Sequence, residues 1–190
     1  MSSLADELAP LLLTPESAAA LDVHGHTDAA VLVPLYRDPA GALHAVFTRR
    51  RADLRSHPGE ISFPGGRQDA GDADLRATAL RETEEEVGLP GTHIRVAGAL
   101  PPTPTLVTNY AIYPFVGAIE PGFEWIPAAS EVAEVLELRL CDVLAGHGRR
   151  RLVRRGVPFR TDTYEVGETL IWGATARIVG DLLERVKPLL

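Results

Sequence analysis

Lysine is nearly missing from this chain: among its 19 basic residues only Lys187 is a lysine. That removes Schiff-base chemistry and the lysine-dependent phosphate loop, which both need a lysine inside the fold. Cysteine is equally scarce. Cys141 stands alone, so neither an internal disulfide nor a thiolate zinc cluster forms, a structural role is expected for it, and a reducing cytoplasm fits. Long apolar runs are absent as well. Leu11-Leu12-Leu13 falls far short of a membrane span, and Met1 to Glu7 lacks the basic start of a signal peptide. Net positive charge is lacking too: a formal charge of −7 disfavours nucleic acid and anionic lipid as partners.

What remains is an ordinary globular composition, 45% hydrophobic and 24% charged, over 190 residues without repeats or a linker. One domain over 1–190 is expected, with 1–25 as an N-terminal helical extension and a core over about 29–187. Leu4, Leu8, Leu11 and Leu12, followed by Thr14-Pro15-Glu16, predict one or two short helices. Ala29 to Leu35 and Leu43 to Thr48 read as a hairpin across Asp38-Pro39-Ala40-Gly41. Arg49 to Gly71 is rich in turn formers and reads as a long ordered loop with a short strand at Glu60 to Phe63. A helix is expected over Asp72 to Val87, with acids in its first turn and Gly88 as its C-cap. Strands follow at His93 to Leu100, Tyr110 to Ile119 and Val132 to Leu138, then a ribbon around Arg151 to Tyr164 and a last helix from Ile171 to Val186. The ribbon's arginines, Arg149 to Arg151 with Arg154 and Arg155, fit an edge charged against unwanted pairing. The sum is an α/β chain with helices covering a central sheet.

One constellation carries chemistry. Within Arg81-Glu82-Thr83-Glu84-Glu85-Glu86-Val87-Gly88, helical spacing puts Glu82, Glu85 and Glu86 on one face. Like charges at that spacing repel, and carboxylate oxygens favour a hard divalent ion, Mg²⁺ first, which keeps waters and binds substrate phosphates. Leu80, Thr83 and Val87 are expected to form the buried side, leaving the acidic face towards the glycine-rich loop. Arg81 is expected to orient a ligand carboxylate. The six histidines lack a His-x3-His spacing, and none is assigned to metal or catalysis.

Arg81-Glu82 and Glu85-Glu86-Val87-Gly88-Leu89 resemble the second half of the signature of the Nudix hydrolases, G-x5-E-x7-R-E-U-x-E-E-x-G-U with U aliphatic. Upstream the glycine is Gly66, one residue early, Asp72 or Asp74 stands for the early glutamate, and Thr83 replaces an aliphatic residue. Thr48-Arg49-Arg50, Arg55, Gly59 and Phe63-Pro64-Gly65-Gly66 are similar to the pattern that precedes this box in coenzyme A pyrophosphatases, and Ile171 to Ala176 to that subgroup's last helix.

The resemblance implies a Nudix-type α/β/α sandwich with a central mixed β-sheet, and hydrolysis of a nucleoside diphosphate linked to another group. For the subgroup the substrate is coenzyme A or a thioester of it, cut at the pyrophosphate into 3′,5′-ADP and 4′-phosphopantetheine. The implied cofactor is Mg²⁺, with Mn²⁺ also admissible, on Glu82 and Glu86 and shared with Glu85. Arg81 and these three glutamates form the catalytic set. Gly65 and Gly66 would allow close approach to substrate or metal, and Arg50 and Arg55 are candidates for the 3′-phosphate. Leu106 and Val107, in the loop Pro101 to Asn109, are candidates for an apolar trough. The proton acceptor is left open among a box glutamate, Glu131 and Glu134. The expected partner is a small nucleotide, with no nucleic acid or membrane, and a homodimer is left open. Two other readings are a Nudix pyrophosphatase for ADP-ribose or a dinucleoside polyphosphate, and a nucleotide sensor without turnover.

Overall fold

The computed structural model describes residues 3–190 apart from 22, 24, 26, 55, 106–108 and 155. Ser3 and Asp6 cap α1 (Leu4–Leu8) reciprocally, a 3₁₀ turn covers Ala9–Leu11, and Thr14 caps α2 (Pro15–Ala19). The break between the helices falls at Thr14-Pro15, where the sequence places it.

β1 (Thr27–Arg37) and β2 (Leu43–Arg50) form the antiparallel hairpin, with Leu35 opposite Ala45. β1 reads as a near-continuous apolar run because it is covered on both faces. Val33 and Leu35 point into one core, and Ala30, Leu32 and Tyr36 into the other. β3 (Ile61–Ser62) pairs with β2, and β4 (Gly65–Arg67) pairs antiparallel with the first half of β1. β4 corrects the reading of Pro64-Gly65-Gly66 as part of a loop. A Cβ on Gly65 would stand 2.3 Å from the carbonyl oxygen of Ala30, so glycine is what allows this strand to lie against β1.

α3 (Leu75–Val87) lies across the sheet, and the left-handed Gly88 (φ 74°) closes it as expected. Its start differs from the sequence reading. Asp74 is the N-cap, accepting the Ala77 N–H at 2.7 Å, so Asp72 precedes the helix and the first turn holds no acid. β5 (Arg95–Ala99), β6 (Thr103–Pro104), β7 (Tyr110–Ala118) and β8 (Val132–Arg139) complete the main sheet. β7 runs parallel to β1, whereas β8 joins β2 antiparallel, so the sheet is mixed.

α4 (Leu140–Ala145) carries Cys141, which is exposed. It leads to a three-stranded sheet of β9 (His147–Arg154), β10 (Val157–Val166) and β11 (Thr169–Trp172), in the order β11-β10-β9. The sequence reading made Ile171 and Trp172 helical. They instead pair with Tyr164 and Thr163, and α5 (Gly173–Val186) begins after them. Arg149 and Arg150 on β9 face Asp162 and Glu165 of β10. α2 and α3 pack on one face of the main sheet, and α1, α4 and α5 on the other, giving the α/β/α sandwich. Among the described residues no helix is long and apolar enough to cross a membrane.

Candidate active site

The sheet and α3 meet at the glycines of β4. The backbone N–H of Gly65 donates to Oε2 of Glu86 at 3.1 Å, and a Cβ on Gly66 would lie 2.5 Å from the carboxylate of Glu82. An alanine at position 66 would therefore displace the Glu82 carboxylate, whereas one at position 65 would collide with the β1 backbone. The acidic face does look at the glycine segment, as its spacing suggests.

Its burial differs from what helical periodicity predicts. Glu86 is only 6% exposed, and Leu80, expected inside, is half-buried, while Thr78, Ala79, Thr83 and Val87 are buried. The cause is β4, which covers a carboxylate that helical periodicity places opposite the core. Burial pushes Glu86 up to about 7, with Glu82 and Glu131 adding repulsion against the Gly65 N–H and Arg50. Burial also raises Glu82, and Arg81 opposes that shift.

Arg81 gathers the acids around it. Its Nε donates to Asp72 Oδ1 at 2.8 Å and its Nη2 to Asp72 Oδ2 at 3.0 Å, a bidentate pair. Its Nη1 reaches Glu82 Oε1 at 2.9 Å and Glu85 Oε2 at 3.1 Å, and Nη2 also reaches the Arg67 carbonyl at 3.2 Å. The guanidinium holds Asp72 well below the usual carboxylate range, and its own affinity for the proton rises in return. Asp72 and Asp74, alternatives in the sequence reading, thus divide the work: Asp72 anchors Arg81 and Asp74 caps α3. Glu85 is not drawn in with the other two glutamates. Its side chain is 60% exposed and held by Arg81.

Arg50, at the end of β2, brings Nη1 to 3.9 Å from Glu86 Oε1, and its buried Nε has no hydrogen-bond partner. With Gly65 and Gly66 it borders a cleft of about 800 Å³. The opposite wall carries Phe159 and Trp172, whose rings lie 5.9 Å apart, and Arg67 sits over the Tyr110 ring at 5.0 Å. Arg160, Arg177 and the first turn of α5 also open on this space. Arg55, Leu106 and Val107 lie outside the described residues. Of the other proton-acceptor candidates, Glu134 is bound to Arg49 at 3.0 Å, while Glu131 is close enough to act on both Glu82 and Glu86.

A family model for the NUDIX domain matches residues 26–155. The chain belongs to the Nudix family. It is 38% identical over 179 residues to a protein named uncharacterized Nudix hydrolase NudL from Photorhabdus laumondii, covering 93% of each chain. It is 38% identical over 159 residues to the NudL of Escherichia coli O1:K1, covering 83% of this chain and 81% of that one. Among solved structures, a MutT/nudix family protein from Enterococcus faecalis matches with TM-score 0.60 and 15% identity over 98% of this chain and 70% of the other. A C. elegans Ap4A hydrolase in a binary complex matches with TM-score 0.51 and 19% identity over 62% of this chain and 83% of that one. These two likenesses establish the fold.

As a Nudix hydrolase the chain acts on the pyrophosphate linkage of a nucleoside diphosphate derivative, and hydrolases of this family generally use divalent metal ions. The donors present fit such an ion. Glu82 and Glu86 are hard oxygen donors, both partly stripped of water, beside a glycine backbone that takes up little space, and Glu86 has no cation closer than Arg50 at 3.9 Å. Among the described residues no three Asp, Glu, His or Cys side chains stand ready to enclose an ion unaided. A Nudix site of this kind leaves room for water and phosphate oxygens in the coordination shell.

Phe159, Tyr110 and the Arg67 carbonyl belong to this site without any signal in the sequence. Nothing local marks them, since they come together through the pairing of β4 with β1 and the placement of β10. Trp172 had a signal, the Ile171 to Ala176 resemblance.

Proposed function

We propose that the chain is a Mg²⁺-dependent pyrophosphatase of coenzyme A or its thioesters, releasing 3′,5′-ADP and 4′-phosphopantetheine or its acyl form, with Mn²⁺ as the alternative ion. Residues 1–190 serve as one catalytic domain in the cytoplasm. The observation that carries the reading is the cleft. It starts at the carboxylates through Arg50, Gly65 and Gly66, continues along apolar Val31, Ile112, Phe159 and Trp172, and is ringed by arginines. Coenzyme A has that sequence of demands: a diphosphate to be cut, a further phosphate needing a cation, and a long arm needing a trough.

Glu82 and Glu86 hold the ion, with Glu85 contributing from the solvent side. A divalent ion held there supplies charge against phosphate oxygens and makes water more acidic. Arg81 fixes Glu82 through Nη1 while Asp72 fixes Arg81, so the carboxylate is set before substrate arrives. The Gly65 N–H sets Glu86 in the same way. Arg50 meets the incoming diphosphate, satisfying its buried Nε–H. Glu131 accepts the proton of the attacking water, since Glu134 is already occupied by Arg49.

Arg55 is assigned to the 3′-phosphate, because Arg50 is spent at the diphosphate. A charge-assisted phosphate contact contributes about 1.5–3 kcal/mol, or roughly ten- to a hundredfold in kcat/KM. Coenzyme A is therefore expected to be cleaved at least about tenfold more efficiently than dephospho-coenzyme A. In steady-state kinetics Arg55→Ala should shrink that preference, while Arg50→Ala should depress both substrates alike. Equal efficiency on both substrates in the wild type would remove the 3′-phosphate from recognition.

A further inference from the structure

We propose that Glu137 is a positioning residue for Glu86, acting through Trp125 and the connection between β7 and β8. The inference rests on reading Glu86 as a metal ligand. Glu137 lies on β8 opposite Val46, on the α3 side of the sheet. Its two carboxylate oxygens accept from two different parts of the chain: Trp125 Nε1–H at 2.5 Å on Oε1, and the Tyr36 hydroxyl on Oε2. Both donors are themselves held. The Tyr36 ring stacks on His44 with centroids 5.0 Å apart, and the Trp125 ring packs edgewise on Phe123 at 5.0 Å.

From Trp125 the chain runs directly to the end of α3. The last carbonyls of a helix have no partner within it. Here the Ile126 N–H donates to the Val87 carbonyl at 3.0 Å and the Ala128 N–H to the Glu86 carbonyl at 2.9 Å. Gly88 makes the approach feasible, since a Cβ there would come within 2.8 Å of the Ile126 Cβ. Ile126 itself is 68% exposed, so the apolar hold on this segment comes from Phe123 and Trp125, which rest partly buried against the core. The tie to Glu137 fixes the Trp125 ring in that position. Glu86 is thereby fixed at both ends, its backbone by the Trp125 segment and its carboxylate by the Gly65 N–H. A ligand carboxylate must be held to within about 0.5 Å for its ion to bind well, so loosening the backbone end is felt at the metal.

The test measures Mn²⁺ binding by electron paramagnetic resonance and amide hydrogen exchange on the full chain, so it needs no substrate. Glu137→Leu keeps the bulk and loses both acceptors. It should speed exchange at the Ile126 and Ala128 amides and weaken Mn²⁺ binding about tenfold. Glu137→Gln can accept from Trp125 and donate to the Tyr36 oxygen, and should bind Mn²⁺ within about threefold of wild type. A residue important only for stability would not give this split between two folded variants. If Glu137→Leu fails to fold, Trp125→Phe preserves the ring on Phe123, deletes the donor and should weaken Mn²⁺ binding at least about threefold. Wild-type Mn²⁺ binding in the Leu or Phe variant, or a Gln variant as impaired as Leu, overturns the proposal. Glu86→Gln is the control. If it binds Mn²⁺ normally, the metal-ligand reading and this inference fall together; if it is impaired while Glu137→Leu is normal, only this inference falls.

Discussion

Glu86→Gln is expected to lower turnover about a thousandfold, equivalent to about 4 kcal/mol of transition-state stabilisation. The same substitution should make the metal-free protein more stable at pH 8. Both effects come from one buried carboxylate. Its charge has no bonded cation partner, since the nearest guanidinium nitrogen, on Arg50, is 3.9 Å away. Burial raises the group from its ordinary 4.5 to about 7. Below the ordinary value it is neutral whether the chain is folded or not, so ionisation costs nothing there. As pH rises towards the folded value, the unfolded chain releases its proton first and the folded state loses about 3 kcal/mol. Thermal melts in chelator should show wild type losing stability between about pH 4.5 and 7. The Gln variant should be flatter, with a Tm about 5 °C or more higher at pH 8. Mg²⁺ should raise the Tm of wild type more than that of the variant. A Gln variant with near wild-type Mg²⁺-dependent turnover would contradict the assignment.

Arg81→Ala should reduce turnover about a hundredfold and lower Tm by about 5 °C. Asp72, Glu82 and Glu85 all lose their common cation in that variant. Glu82 loses its orientation, and the three acids gathered around Arg81 then repel one another. Lysine is a poor replacement, because a single ammonium cannot reproduce the bidentate bond to Asp72 together with the shared Nη1 contact. Adding Asp72→Asn to Arg81→Ala removes one uncompensated charge. The double variant should recover Tm but not turnover, and recovery of both would show that Arg81 serves stability alone. Melting curves and steady-state rates on the same preparations decide the point.

The acidic face could be read from sequence because it is local: Glu82 and Glu86 are four residues apart on a helix whose Gly88 stop is itself encoded locally. The hairpin and the N-terminal helix break were legible for the same reason. The burial of Glu86 was not, because it depends on β4, a three-residue strand of glycine and arginine without a strand's composition, paired to β1 across more than thirty positions. The α5 boundary shifted because Ile171-Trp172 suits either a strand or a helix, and only the partner β10 decides between them. Glu137 carries no signal of its own, since its partners Tyr36 and Trp125 lie on a different strand and a long connection.

Product analysis of coenzyme A incubated with the full chain and Mg²⁺, beside ADP-ribose, NADH and diadenosine polyphosphate, decides which substrate the site cleaves. The expected products are 3′,5′-ADP and 4′-phosphopantetheine, formed with a higher kcat/KM than any product of the other substrates and abolished by chelator. Hydrolysis of ADP-ribose at least as efficient as that of coenzyme A would contradict the coenzyme A assignment and leave only the Nudix hydrolase.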